Sequence, residues 1–472
     1  MAAKANLAKS SAYFGVVPRE IREEIMVKSL IRKFLQKVDC WSAKMLLYTG
    51  SLQLIKFVLI GVEAYWCQDY LLVFFIVAYV ANGLLASSHG ARVRVQGNDS
   101  PTFNVLNYGA IGDGKQDDTL AFSKAWSDVC NSSNDTPTLV VPLGKTFLVK
   151  SILFKGPCKS TRIHVEVQGN IVAPDSIDEW GECQSNTWLQ FEYVDNLIVD
   201  GQGVIDGRGS IWWNKASIIN HDAMINALRF QSCNGFQLRG LTHKDSPGSH
   251  ITLSGANNST ISNVNIIAPE DSPNTDGIDI SSSTNLQILH STIATGDDCI
   301  AMGSHTSQIY ISNITCGPGH GISVGSLGKD GAEAKVEEIH VRNCTFINSS
   351  NGARIKTWQG GSGYARNITY DDIILTDVNN PIIIDQYYCF GQCKIQPLAV
   401  AVSNVKFSGF HGTSSSKAAI TLNCSQTVPC TNIQMADIDI APFISTINIT
   451  SFCESAQVQE DSSVVPHVNC NK

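Results

Sequence analysis

An apolar four-residue unit recurs through the second half of the chain, and its spacing is the strongest constraint on the fold. Each unit consists of an apolar residue, a variable residue, a small or polar turn former and, in most cases, a second apolar residue. The first residues of successive units are 23, 27, 23, 30, 29, 37 and 28 positions apart. The eight units begin at Leu238, Ile261, Ile288, Ile311, Val341, Tyr370, Phe407 and Met435.

A period near 25 residues, with β-branched runs and no long helical pattern, is typical of one coil of a parallel β-helix. A leucine-rich repeat shares this period but requires a regular leucine lattice, which is absent, and a β-propeller requires about 40 residues per repeat. Coils about 4.8 Å apart would share backbone hydrogen bonds and one apolar core. The sequence therefore predicts an all-β fold, a single-stranded right-handed parallel β-helix, over residues 101–472.

The open N-terminal end of such a β-helix must be covered, because its strand edges and core would otherwise be exposed. Asp117 and Asp118 precede an amphipathic stretch that contains Phe122 and Trp126. We expect a short N-terminal capping helix here, with the two aspartates as helix caps rather than catalytic groups.

The first 100 residues lack the repeat. Residues 1–69 are an N-terminal extension of unclear status. Residues 70–88 contain 17 uncharged residues that end in Ala86-Ser87-Ser88, a pattern typical of signal peptidase sites. We interpret 70–86 as a signal-peptide segment that leads to secretion into the cell wall. The alternative is an uncleaved signal anchor in contact with a membrane.

Cysteines and glycosylation sequons also favour an extracellular protein. Thirteen of the 15 cysteines lie after residue 100, together with many N-x-S/T sequons, as in disulfide-bonded glycoproteins of the secretory pathway. Because no CxxC pair or zinc-ligand spacing is present, we expect no metal. The net charge of −8 argues against a nucleic-acid partner, and we expect a monomer. The locally spaced pairs are Cys299 with Cys316, Cys389 with Cys393, Cys424 with Cys430, and Cys453 with Cys470.

Four polar segments are candidates for a functional site, and their spacing predicts that they converge. Asp276 and Asp298 are 22 residues apart, as are Asp298 and His320. If 22 residues form one coil, these side chains lie on adjacent rungs of one face, and Arg354 follows after one coil and a Gly-rich excursion. The four segments are Asn274-Thr-Asp276-Gly-Ile-Asp279, Gly296-Asp297-Asp298-Cys299, Gly319-His320-Gly321 and Arg354-Ile-Lys356.

Carboxylates this close cannot all ionise freely, so at least one pKa is expected to rise. A carboxylic acid with a raised pKa beside an ionised carboxylate is the arrangement that glycoside hydrolysis requires. An Arg/Lys pair could hold a uronic acid. Each residue taken alone is more simply structural, and we place Asp279, one strand step beyond the site, in that class. The combination in register favours catalysis.

The same segments closely resemble the motifs of the polygalacturonase family, glycoside hydrolase family 28. The resemblance spans about residue 101 to the C-terminus and does not include residues 1–100. It implies a pectin-lyase-like β-helix that hydrolyses α-1,4-galacturonosyl linkages of pectin with inversion, as in plant-type polygalacturonases, without a cofactor or metal. The matching segments are NTDGIDI, GDDCIA, CGPGHGISVGS, RIKTW, FNVLNYGAIGDGKQDDT and VIDGRGSIWW.

Carried over by position, the resemblance implies that Asp297 is the general acid that protonates the leaving oxygen. Asp276 and Asp298 would together activate the attacking water, and His320 would tune the acid and contact the substrate. Inverting enzymes keep acid and base about 6.5–9.5 Å apart, but two bases around one water permit a shorter distance. We therefore expect the Asp297 carboxyl about 4.5–7 Å from those of Asp276 and Asp298.

The resemblance also implies a set of substrate-binding residues. Arg354 and Lys356 would grip a galacturonate carboxylate, and Asn274 would contact the substrate. A tyrosine contact is assigned to Tyr387, although the adjacent Tyr388 leaves this choice open. We expect loss of Lys356 to impair turnover without affecting the stability of the β-helix.

Three alternatives share this architecture. The intact NTD and RIK segments argue against a rhamnogalacturonan hydrolase, the nearest rival enzyme. A calcium-dependent pectate lyase requires a carboxylate-rich calcium site and an arginine base, which these segments do not resemble. A catalytically inactive carbohydrate-binding β-helix would be free to lose Asp297 or His320, and both are present. Endo and exo action remain equally open.

Overall fold

The computed structural model describes residues 101–180, 186–213, 224–389, 395–446 and 448–470, which lie within a unit that extends over Gly97–Lys472. The predictions for residues 1–69 and 70–88 therefore lie outside the described residues. Among the helices in the described ranges, none has the length and apolarity that crossing a bilayer requires.

The described chain is built almost wholly of short strands. Its helices are α1 (Thr119–Asn131) and α2 (Ser210–Trp213), with 3-10 turns at Val105–Tyr108, Ile177–Trp180 and Lys329–Gly331. The strands are β1 (Thr102–Asn104), β2 (Asp113–Asp117), β3 (Thr138–Val141), β4 (Thr146–Leu148), β5 (Ile152–Lys155), β6 (Ile163–Val167), β7 (Asn170–Val172), β8 (Thr187–Glu192), β9 (Leu197–Gly201), β10 (Val204–Asp206), β11 (Asn226–Gln231), β12 (Gln237–Arg239), β13 (Thr242–Lys244), β14 (Ile251–Ser254), β15 (Asn257–Ser262), β16 (Asn265–Ile267), β17 (Ile278–Ser281), β18 (Thr284–Ala294), β19 (Ile300–Met302), β20 (Thr306–Cys316), β21 (Ile322–Leu327), β22 (Glu333–Ile347), β23 (Asn351–Trp358), β24 (Ser362–Val378), β25 (Asn380–Tyr388), β26 (Ala401–Ser414), β27 (Ala418–Asn423), β28 (Cys430–Pro442), β29 (Thr450–Glu454), β30 (Ala456–Glu460) and β31 (Val464–Val465).

Each strand pairs in parallel with its counterpart on the next coil. Eleven strands form one sheet, in the order β5-β8-β11-β14-β17-β19-β21-β23-β25-β27-β29, and twenty form the other. In the larger sheet β15 and β16 both pair with β18, so from β18 onward one long, bent strand continues two ladders. Crossovers between parallel strands take the right-handed form. The fold is the right-handed parallel β-helix that the sequence predicted.

The eight repeat units occupy one position on successive coils. Their first residues pair directly, from Leu238 with Ile261 to Phe407 with Met435. The third residue of every unit has a positive φ, between 49° and 77°. Gly, Asn and Asp tolerate this left-handed conformation best. The turn bends the strand, so that the apolar residues on both sides of it, such as Ile261 and Val264, are buried.

Helix α1 covers the N-terminal end, as predicted. Phe122 packs edge-on against Phe147, with ring centroids 5.6 Å apart, and the buried side chain of Trp126 packs beside it. The aspartates differ from the expectation. Asp117 Oδ1 accepts the N–H of Thr119 at 3.0 Å, whereas the Asp118 carboxylate accepts the N–H groups of residues 111 and 112. Asp118 therefore fixes the preceding turn rather than the helix.

Disulfides link neighbouring segments of the coils, which agrees with the locally spaced cysteines. Cys389 is also disulfide-bonded, but residue 393 lies outside the described ranges. Cys233 and Cys344 are free thiols in the core. The described pairs are Cys130–Cys158, Cys299–Cys316, Cys424–Cys430 and Cys453–Cys470.

Candidate active site

Backbone pairing places Asp276, Asp298 and His320 at equivalent positions on three successive coils. The first residues of β17, β19 and β21 align with one another across the eleven-stranded sheet. Each of the three polar residues lies two positions before one of these strands. The 22-residue spacing therefore corresponds to one coil, and the three side chains meet on one face as the spacing predicted.

A buried histidine that sequence reasoning missed positions the Asp276 turn. The backbone carbonyl of Asp276 accepts hydrogen bonds from His250 N at 2.8 Å and from His250 Nδ1 at 3.1 Å. His250 Nε2 accepts the N–H of Ser246 at 3.3 Å, so the ring proton lies on Nδ1. Burial lowers the pKa of His250 to about 4, which keeps the ring neutral.

Asp297 and His320 form a direct pair. His320 Nδ1 lies 2.8 Å from Asp297 Oδ1, and the backbone N–H of Asp298 donates to the same oxygen at 2.8 Å. The side chains of His320 and Asp297 are 42% and 22% exposed, so both can reach a bound molecule. Burial alone would raise the pKa of Asp297. The hydrogen bond and charge of His320, with the charge of Lys356, lower it instead.

Asp298 is enclosed by donors. Lys356 Nζ donates to Asp298 Oδ2 at 2.5 Å, while Ser323 Oγ at 2.7 Å and Arg354 Nη1 at 3.5 Å reach Oδ1. The side chains of Asp298 and Lys356 are 1% and 9% exposed. Burial would lower the pKa of Lys356, but the charge of Asp298 raises it. The cation pair thus serves a carboxylate of the protein itself, which the sequence did not indicate.

Asp276 and Asp279 carry the raised pKa values. Burial raises the pKa of Asp276 well above its usual value, and the charges of Asp279, Asp297 and Asp298 raise it further. Burial likewise raises the pKa of Asp279 to about 6, although a 2.6 Å hydrogen bond from Ser249 opposes the shift. The expectation of a raised carboxyl pKa holds, but the carboxyl is not Asp297. Asp279, which sequence reasoning treated as structural, belongs to the same electrostatic cluster.

The two adjacent tyrosines have different neighbours. The Tyr388 ring centre lies 5.4 Å from both Arg354 Cζ and Lys356 Nζ. Tyr387 instead accepts the N–H of Gln426 at 3.2 Å through its hydroxyl oxygen. The structure therefore favours Tyr388 over the assigned Tyr387 as the tyrosine beside the cations.

Two further assignments concern Asn274 and metal binding. Asn274 begins the Asp276 turn in the left-handed region, with a φ of 56°, and is half-buried. One ligand atom each of Asp297, Asp298 and His320 lie within 4.8 Å of one another, a separation that a metal ion could bridge. Lys356 already contacts Asp298, however, so a divalent ion there would meet a like charge. The residues fit a site in which protein cations supply the positive charge.

The chain matches a known enzyme family over most of its length. Residues 130–461 match the family described as Glycosyl hydrolases family 28. A probable polygalacturonase of Arabidopsis thaliana is 47% identical over 376 residues, which cover 79% of this chain and 81% of that protein. Polygalacturonase-2 of Solanum lycopersicum is 39% identical over 393 residues, which cover 79% of this chain and 85% of that protein.

A solved structure supports the fold. The endo-xylogalacturonan hydrolase from Aspergillus tubingensis superposes with a TM-score of 0.66 at 24% identity, covering 78% of this chain and 98% of that one. Both the sequence match and the β-helix thus lead to one family. The register-aligned carboxylates, imidazole and cations belong to a chain that is a member of glycosyl hydrolases family 28.

Proposed function

We propose that the protein is a polygalacturonase that hydrolyses α-1,4-galacturonosyl linkages of pectin with inversion. The observation that supports this most is the contact between two pairs, Asp297–His320 and Asp298–Lys356, on one face of the β-helix. The first pair can deliver a proton, and the second places positive charge where a uronate would bind. The relatives named polygalacturonase share 39–47% identity with this chain.

Asp297 is the general acid in this proposal. Its Oδ1 is occupied by His320 and by a backbone N–H, which leaves Oδ2 for the glycosidic oxygen. In the free protein the pKa of Asp297 is lowered, so the proton must reach it from elsewhere. Sugar binding excludes water and disfavours a charge-separated carboxylate–imidazolium pair. The proton in the 2.8 Å bond then moves from His320 toward Asp297.

Asp276 and Asp298 position and activate the water. The negative charge of Asp297 is one cause of the raised pKa of Asp276. Protonation of Asp297 removes that charge and so lowers the pKa of Asp276, which favours its carboxylate form. Asp298 has both oxygens engaged by donors and acts mainly by orienting the water. Base formation is thereby coupled to loading of the acid.

Arg354 and Lys356 bind the uronate. Two cations contact one carboxylate, Asp298, so the group retains net positive charge for a second carboxylate. The Tyr388 ring beside both cations is a surface for the sugar, in preference to Tyr387, and Asn274 is proposed as a further contact. We place the enzyme outside the cell, in cell wall pectin degradation or remodelling.

Purified full-length protein and polygalacturonate test the proposal. Reducing ends should appear, and NMR of the first products should show the inverted anomer. Asp297→Asn should abolish both signals. Protein that binds polygalacturonate without releasing reducing ends would instead support the inactive carbohydrate-binding alternative. Release from rhamnogalacturonan alone would support the related hydrolase.

A further inference from the structure

Arg229 lies on the same outward face of the eleven-stranded sheet as Arg354. Register pairs Arg229 with Thr252 and Thr252 with Asp279, and the alignment continues through residues 301 and 323 to Arg354. Counted from the coil that follows Asp298, Arg229 is three coils away on one side and Arg354 is two coils away on the other. At about 4.8 Å per coil these are about 14 and about 10 Å. The two arginines therefore flank the carboxylates.

The floor between the two arginines carries short side chains. Apart from Asp279, the outward positions are Thr252, Ala301 and Ser323, and the last two are buried beneath their neighbours. No bulky side chain stands in this column between Arg229 and Arg354. An extended polymer can therefore lie along the sheet and contact cations at both ends.

Arg229 has no carboxylate partner in the described part of the chain. Its Nη2 donates to the neutral Gln231 at 2.8 Å, and its buried Nε has no hydrogen-bond partner among those residues. Glu192, one coil away on the same face, is 3.8 Å from Lys155 instead. A half-buried guanidinium without a counter-charge is costly unless a ligand supplies an anion.

The other arginines within described strands show that this is unusual. Each of them has a carboxylate within salt-bridge distance, so their charges are compensated by the fold itself. These pairs are Arg239–Asp200, Arg342–Asp372, Arg354–Asp298 and Arg366–Glu337. Of these five arginines, Arg229 alone faces the floor beside the carboxylates with a neutral partner.

We propose that Arg229 binds a uronate carboxylate of the chain being cut, on the side of the catalytic carboxylates opposite Arg354 and Lys356. A galacturonan then extends past the scissile bond in both directions and is cleaved internally, so the enzyme acts in the endo mode. This inference rests on the proposed function and adds the position of the second binding group and the mode of cleavage.

The test compares Arg229→Gln with Arg229→Lys on polygalacturonate, a galacturonate dodecamer and the trimer. A trimer is too short to reach from the catalytic carboxylates to Arg229 and fill the opposite side. Arg229→Gln should lower kcat/KM on the two long substrates about 10-fold, the effect of one charge-assisted hydrogen bond, and leave the trimer within about twofold. Arg229→Lys should recover most of the loss, and added salt should weaken the wild type more than the Gln variant.

Arg239→Gln is the matched control, because Arg239 lies on the other sheet and should leave all three substrates unaffected. Wild-type protein should release mixed oligomers early in the reaction. An equal loss on trimer and polymer, no loss on any substrate, or release of monomer alone would overturn the inference and leave the proposed function standing. A wild type inert on polygalacturonate would reject the proposed function and the inference with it.

Discussion

Lys356 Nζ lies 2.5 Å from Asp298 Oδ2, and the two side chains are almost fully buried. The residue that the motif assigns to substrate binding is thus also half of an internal ion pair. Removing one partner of such a pair leaves an uncompensated buried charge, whereas removing both does not. The expectation that Lys356 matters only for turnover is therefore incomplete.

Lys356→Met should lower the free energy of unfolding by about 3 kcal/mol, because Asp298 would remain buried without its main partner. Combining it with Asp298→Asn should restore much of that loss while activity stays low. Denaturant unfolding of the two single variants and the double variant measures the coupling. Additive losses would show that the pair contributes nothing through its charge.

Asp297→Asn should lower kcat about 10²- to 10⁴-fold, because the amide cannot protonate the leaving oxygen. Folding should be unaffected, since the side chain is partly exposed and the amide can still accept from the Asp298 N–H. Asp175→Asn, at a side chain that is 78% exposed, is the control. Activity within a few-fold of wild type at an unchanged Tm would remove Asp297 from the acid role.

Tyr388→Ala should raise KM for galacturonan about fivefold, because it removes the ring beside both cations. Tyr387→Phe should change KM by less than about twofold, since that hydroxyl contacts the backbone of Gln426. Steady-state kinetics on polygalacturonate measures both. The reverse ranking would return the substrate contact to Tyr387.

Asp279 should make stability fall as pH rises. Its pKa is about 6 in the folded protein against an ordinary value of 3.8, so the folded state binds more protons between these values. Its contribution is full below about pH 4 and is lost as pH passes about 6, a change of about 2 kcal/mol for a partly accessible group. Asp279→Asn should flatten the curve of Tm against pH over this range. Parallel curves for variant and wild type would contradict the raised pKa.

The register of the catalytic turns could be predicted because a coil is closed by backbone pairing. Once the apolar units fixed the period, a 22-residue step had to return Asp276, Asp298 and His320 to one face, and it does. The turn formers had to be residues that tolerate positive φ, and those positions are positive throughout. Both results follow from local chemistry repeated along the chain.

The tyrosine depended on a feature that has no sequence pattern. Lys356 aligns with residue 385, but the pairing then shifts by one, so that Trp358 aligns with Tyr388 rather than Tyr387. A shift of one residue exchanges the two faces of a strand. Adjacent identical residues therefore cannot be assigned to faces until the irregular pairing is known.

The sequence by itself determined the coil, the face and the residue types of the site, because these depend on spacing along one chain. The tertiary structure decided which groups hold protons and which charges are satisfied. Asp276 and Asp279 have raised pKa values, Asp297 has a lowered one, and Lys356 is committed to Asp298. These properties depend on burial and on distances of a few ångströms between side chains from different coils, which spacing alone does not contain.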